Sequence, residues 1–338
     1  MNQYKIIPAI VFMIFIVTCN AQDWKRINKV LPIPYLNNTE DNYGTSVSID
    51  SNYAVVGAPN YNLKKGCAYV LFNNGSTWEI IARLTASNGE EQDFFGWAVG
   101  ISGNTIVIGA YSCNIGGSNS GAVYVFEKPA GGWTDTTETA ILTASGAFDD
   151  RSLGYSVSID GEYIAAGAAF DDEKGNNSGA AYVFKQPAGG WTDTTEIAKL
   201  VSSDIEAMDN FGYDIDISGD YIIVSAYYDD DNGSNSGSAY IFKKPAGGWA
   251  DTTETAKLLS SDGEANDRFG QAVCISDNYV VIGAPFDDDD GSGSGSVYVF
   301  EKPVSEWTDT TETAKLTADD AYSNDYFGFN VETNNDIV

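Results

Sequence analysis

Asp267-Arg268-Phe269-Gly270, followed by Gly283-Ala284-Pro285, decides the reading of this chain, because its parts recur at fixed intervals. The turn glycine stands at Gly44, Gly96, Gly154, Gly212, Gly270 and Gly328, and the last four steps are 58 residues each. A small pair follows it at Gly57-Ala58, Gly109-Ala110, Gly167-Ala168, Ser225-Ala226 and Gly283-Ala284. A tryptophan marks the far end of the unit at Trp24, Trp78, Trp133, Trp191, Trp249 and Trp307, so only Trp97 falls outside the register. A fixed long period is the signature of a solenoid, a propeller or a tandem array.

The unit from Phe269 shows what each repeat contains. Phe269 to Ile275 alternates as a strand, Ser276-Asp277-Asn278 is a tight turn, and Tyr279 to Ala284 is a nearly continuous apolar run. An acidic, glycine-rich loop from Asp287 to Ser294 leads to a third strand, Ser296 to Phe300, and Ala314-Lys315-Leu316 belongs to a fourth. Short β-branched and aromatic runs between Gly, Asp, Asn and Ser clusters are strand and turn signals. No stretch carries a sustained apolar stripe at helical spacing, which predicts essentially no helix. Strands apolar on both faces must be covered on both sides, as blades are when they stack about an axis. The fold expected is all-β: a β-propeller of four-stranded antiparallel blades, five complete and one partial, over residues 22–338.

The units resemble the FG-GAP repeats of the integrin α-subunit propeller and its bacterial relatives. The marks are Phe95-Gly96, Phe211-Gly212, Phe269-Gly270 and Phe327-Gly328, then Gly57-Ala58-Pro59 and Gly283-Ala284-Pro285. The aromatic strand Gly121-Ala122-Val123-Tyr124-Val125-Phe126 also fits, whereas Tyr43-Gly44 and Leu153-Gly154 vary the first mark. The resemblance implies a seven-bladed, extracellular propeller that is adhesive or ligand-binding. Its aspartate-rich calcium loop between the two marks has no counterpart, because Ser218-Gly219-Asp220 and Ser102-Gly103-Asn104 are tight turns there.

The acids lie elsewhere. They follow the small pair as Asp171-Asp172-Glu173, Asp229-Asp230-Asp231-Asn232 and Asp287-Asp288-Asp289-Asp290, and others, such as Asp204, Asp209, Asp262 and Asp267, precede the turn glycine. In a four-stranded meander both loops emerge on one side, so both sets crowd one face. Hard oxygen ligands grouped beside glycines suit calcium, which makes Asp171, Asp172, Asp229 to Asn232 and Asp287 to Asp290 candidate ligands. Turn building alone explains the same composition.

The net charge of −30 repels phosphate backbones and argues against nucleic-acid binding. Lys5, the apolar run Ile6 to Val17 and Cys19-Asn20-Ala21 read as an export signal over residues 1–21, too short to span a bilayer. A lipoprotein signal ending at Cys19 is the alternative. A secreted or cell-surface protein follows. Cys67, Cys113 and Cys274 do not form a disulfide framework, although a Cys67–Cys113 bridge is conceivable. The absence of histidine removes His-dependent triads and His-ligated metals. Carboxylate pairs leave glycosidase chemistry open, yet they recur blade after blade instead of forming one singular site.

The near-verbatim segment from Lys128 to Glu138 belongs to the third-to-fourth hairpin on the opposite face, with its tryptophan packing between blades. The Trp24 strand lacks three preceding partners and the chain ends within a second strand, so the two ends are complementary pieces of a six- or seven-bladed ring in a longer protein. The functional expectation is an exported module that binds or adheres to an extracellular protein or glycan. The alternatives are a purely structural array and a glycan-processing enzyme.

Overall fold

The structure is a computed structural model that describes residues 41–146 and 149–333. The export signal and the Trp24 strand lie outside the described residues. Blade one comprises β1 (Val47–Asp50), β2 (Tyr53–Ala58), β3 (Cys67–Asn73) and β4 (Trp78–Leu84), and blade two β5 (Val99–Ser102), β6 (Thr105–Ala110), β7 (Ala122–Glu127) and β8 (Ala140–Thr143). Blade three has β9 (Ser156–Asp160), β10 (Tyr163–Ala168), β11 (Ala180–Lys185) and β13 (Ala198–Leu200), with the two-residue β12 (Thr194–Thr195) reaching back to pair with β8. Blade four is β14 (Ile215–Ser218), β15 (Tyr221–Ala226), β16 (Ser238–Lys243) and β17 (Ala256–Leu258), and blade five β18 (Ala272–Ile275), β19 (Tyr279–Ala284), β20 (Ser296–Glu301) and β21 (Ala314–Leu316). The first strands β1, β5, β9, β14 and β18 neighbour one another around the axis, and each blade meanders outward from there. In blade one a tight turn, Tyr61–Lys64, with Asn62, Leu63 and Lys64 at positive φ, replaces the acidic loop.

The cores lie between blades. Val70 and Leu84 of blade one pack against Phe95, Ile106, Ile108 and Tyr124 of blade two, and the arrangement repeats at the next three interfaces. Both faces of every second strand are covered, which is why these strands carry no polar alternation. Trp133, Trp191, Trp249 and Trp307 are buried in these cores, each between its own blade and the preceding one. Cys67, Cys113 and Cys274 are buried and free, so no Cys67–Cys113 bridge forms.

The two glycine marks meet across the first three blade interfaces. Gly96 turns at φ +90°, and its carbonyl oxygen lies 2.0 Å from where a Cβ on Gly57 would stand. Gly109 meets Gly154 at 2.0 Å and Gly167 meets Gly212 at 2.0 Å in the same way. Only a residue without a side chain permits that approach.

Side chains complete the blade edges. Near the axis, Ser46 Oγ accepts the Val99 N–H at 3.0 Å, Ser48 Oγ that of Ile101 at 3.2 Å, and Asp216 Oδ2 that of Ile275 at 2.9 Å. At the rim, Asp135, Asp193, Asp251 and Asp309 accept the N–H groups of Arg83, Ile141, Lys199 and Lys257 on the preceding blade at 2.8–2.9 Å. Glu138, Glu196, Glu254 and Glu312 similarly take Ser87, Ser145, Ser203 and Ser261. The near-verbatim segment is thus a clasp between blades, and its sameness follows from docking on the same backbone each time.

Candidate functional site

The loops after the small pair and the loops before the turn glycine do share one face. Asp171, Asp229 and Asp287 are buried at its base. In each, Oδ1 accepts a backbone N–H two residues on, from Glu173 at 2.9 Å, Asp231 at 3.1 Å and Asp289 at 3.2 Å. The other oxygen accepts a tyrosine hydroxyl of the third strand: Tyr182 at 2.8 Å, Tyr240 at 2.8 Å and Tyr298 at 2.7 Å. Asp172 and Asp230 are exposed and cap the N–H groups of Asn177 and Asn235, both at 2.6 Å. Asn232 donates to the Ser260 carbonyl at 3.2 Å, while Asp288 and Asp290 are exposed.

A lysine on the outer strand occupies the centre of each acidic set. Lys257 Nζ lies 2.7 Å from Asp204, 3.2 Å from Asp229 and 2.6 Å from Asp231. Lys315 repeats this 58 residues on, at 2.7 Å from Asp262, 2.9 Å from Asp287 and 2.6 Å from Asp289. Burial alone would lower both lysine pKa values, but the surrounding carboxylates outweigh it and hold them well above the ordinary value. The same pairing overcomes burial at Asp204 and Asp262 and holds their carboxyls low. In blade three Lys199 pairs with Glu173 at 2.6 Å, and Arg151 lies 3.4 Å from Asp171, with Gly146 where later blades place Asp204 and Asp262. Of the candidate ligands, Asp171, Asp229, Asp231, Asp287 and Asp289 lie around ammonium groups, whereas Asp172, Asp230 and Asn232 hold turns and loops and Asp288 and Asp290 are exposed. Among the described residues no group of three or more His, Cys, Asp or Glu side chains is arranged to hold a metal ion. The donor set does not fit calcium while the lysines are in place, because their charge fills the point on which the oxygens converge.

The lysines were legible in principle. Lys199, Lys257 and Lys315 are spaced by the repeat, and their counterparts in the blades without acidic loops are Arg83 and Ile141.

Nearer the axis the same face carries an aromatic arc that composition did not reveal. Trp97 contacts Tyr111 at 4.9 Å and Tyr155 at 5.5 Å between centroids, and Tyr155 contacts Tyr213 at 5.2 Å. Tyr213 meets Tyr227 at 3.8 Å, Tyr227 stacks on Tyr228 at 4.0 Å, and the Arg268 guanidinium lies 4.3 Å from the Phe286 ring centroid. Most of these rings are half-buried, with part of each surface open. Trp97, the one tryptophan out of register, is here.

On the axis, Asp214 and Asp216 accept the Val273 and Ile275 N–H groups at 2.8 and 2.9 Å, and the Glu332 carboxyl is electrostatically coupled to both. Burial pushes Asp214 up to about 7 against the N–H groups that stabilise its charge. Glu332 is pushed up to about 7 by burial and then by Asp216 and Asp214.

The FG-GAP repeat profile matches residues 37–72, 78–126, 136–184, 194–242, 252–300 and 310–338. The chain belongs to the FG-GAP repeat family. The four matches between 78 and 300 each take in the fourth strand of one blade, the turn glycine and the first three strands of the next. Comparison with curated proteins gives no match. Among the described residues no helix is long and apolar enough to cross a membrane.

Proposed function

We propose that this FG-GAP propeller is an exported, non-catalytic binding module whose partner, an extracellular protein or glycan, docks on the face of the acidic loops. The aromatic arc from Trp97 to Phe286 carries the reading. Large, rigid rings with part of their surface open supply contact area at small entropic cost, and they are enriched where proteins bind partners. Export rests on the charge and apolar run of residues 1–21. A non-catalytic role is favoured because the carboxylates of the acidic loops recur by blade and are engaged by lysines, tyrosines and turns, while the axial Asp214 and Asp216 accept the Val273 and Ile275 N–H groups of the next blade. Calcium, expected at these loops from composition, would bind there only in competition with the lysines.

The test is binding to immobilised neutral polysaccharides and extracellular matrix proteins by wild type and by the triple variant Trp97→Ala, Tyr155→Ala, Tyr213→Ala. Wild type should be retained on one of these surfaces, and the variant should lose about tenfold or more in affinity while still unfolding cooperatively. Equal binding by a folded triple variant, or no binding by wild type, overturns the reading. Product analysis on the same polysaccharides detects hydrolysis directly.

A further inference from the structure

Three carboxylates reaching one point from two loops and meeting at 2.6–3.2 Å would be a ligand set for a hard divalent cation if the point were free. In blades four and five that point is a lysine Nζ. The tetrahedral ammonium has three N–H donors and faces three acceptors, so no donor is wasted.

The repeats themselves show that the lysine and the loop aspartate travel together. At the equivalent pair of positions, blade one has Tyr61 with Arg83 and blade two has Cys113 with Ile141, whereas blades three to five have Asp171 with Lys199, Asp229 with Lys257 and Asp287 with Lys315. The buried aspartate never occurs without its lysine, and in blade two both positions turn apolar together. In blade one the pair is again matched, with the Arg83 guanidinium donating to the Tyr61 hydroxyl at 3.0 Å. Coupled change at two positions in contact is what a shared interaction requires. A buried carboxylate left without its cation is costly, which explains the coupling.

We propose that each lysine is the resident cation of its acidic loop, taking the place a metal ion would hold. The face then keeps its shape without calcium, and removing the ammonium while keeping the side-chain bulk opens a three-carboxylate site to calcium. The inference concerns loop architecture and stands whether or not the aromatic arc binds a partner.

The probe is calcium alone, titrated into chelator-treated wild type and the double variant Lys257→Met, Lys315→Met, by calorimetry and by thermal unfolding. Wild type should give no binding heat and no change in Tm. The variant should melt lower in chelator, take up calcium at its two altered loops with micromolar to millimolar affinity, and gain about 5 °C in Tm on saturation. If the double variant does not fold in chelator, the single variant Lys315→Met supplies the same contrast. Nitrogen-15 spectra of the wild-type lysine ammonium groups supply a second, where the Lys257 and Lys315 signals should stay unmoved by calcium. Calcium-dependent stabilisation of wild type, displacement of those signals, or a folded variant that binds no calcium would each overturn the proposal.

Discussion

At the scale of single residues, Asp214 sets a pH dependence opposite in sign to that of the lysine-paired acids. Its folded pKa is pushed up to about 7, above the ordinary aspartate value. The folded state therefore holds more protons than the unfolded chain between about pH 4 and 7. The stability from this group is full below about pH 4 and is lost as pH rises through about 7. Asp214→Asn keeps an acceptor for the Val273 N–H while removing the charge. Calorimetry should find its Tm raised by about 2–4 °C at pH 8 and nearly unchanged at pH 4. An equal shift at both values would assign the effect to packing. Asp204 and Asp262 run the other way, since their lowered pKa values give stability that is present above the ordinary range and lost on acidification.

At the scale of elements, the second strand of one blade and the turn glycine of the next form a single contact. A methyl group at Gly109 would lie 2.0 Å from the Gly154 carbonyl oxygen, a backbone atom that cannot rotate away. Gly109→Ala should lower stability by about 3 kcal/mol, measured as a fall in the urea midpoint with unchanged slope. A loss below about 0.5 kcal/mol would show that blades can part freely. Blade four carries Ser225 at this position, and its Oγ accepts the Asp214 N–H at 2.9 Å. One interface thus accommodates a Cβ, 3.1 Å from the Cβ position of Gly270, while the hydroxyl bonds within its own blade. The clasp works at the same scale: one repeated Asp and Glu hold the outer strand of the preceding blade, which the third-to-fourth hairpin of a lone blade could not do.

At the scale of the whole molecule, charge repulsion and blade stacking oppose each other. A net charge of −30 disfavours compaction, and dissolved salt screens exposed charges more than buried pairs. Raising sodium chloride from about 0.01 to 0.15 M, which shortens the screening length from about 30 to 8 Å, should therefore raise Tm. A fall would mean that the lysine–carboxylate sets contribute more than the repulsion they offset. The aromatic arc also exists only at this scale, because Trp97, Tyr155 and Tyr213 come from successive blades and meet only when these stand side by side.

The blades were legible along the chain. A fixed period, strands apolar on both faces and two glycines per unit admit few structures besides sheets stacked about an axis, since those are local and repetitive requirements. The sequence also placed both acidic sets on one face. What it left open was the chemistry of that face, because composition cannot say which charges meet. Lys257 is 53 residues from Asp204 and 26 from Asp231, and only the tertiary structure puts its ammonium between them. Asp229 and Asp287, which read as free ligands along the chain, are neutralised in space by Lys257 and Lys315, since burying an unpaired carboxylate costs more than ordering a lysine beside it.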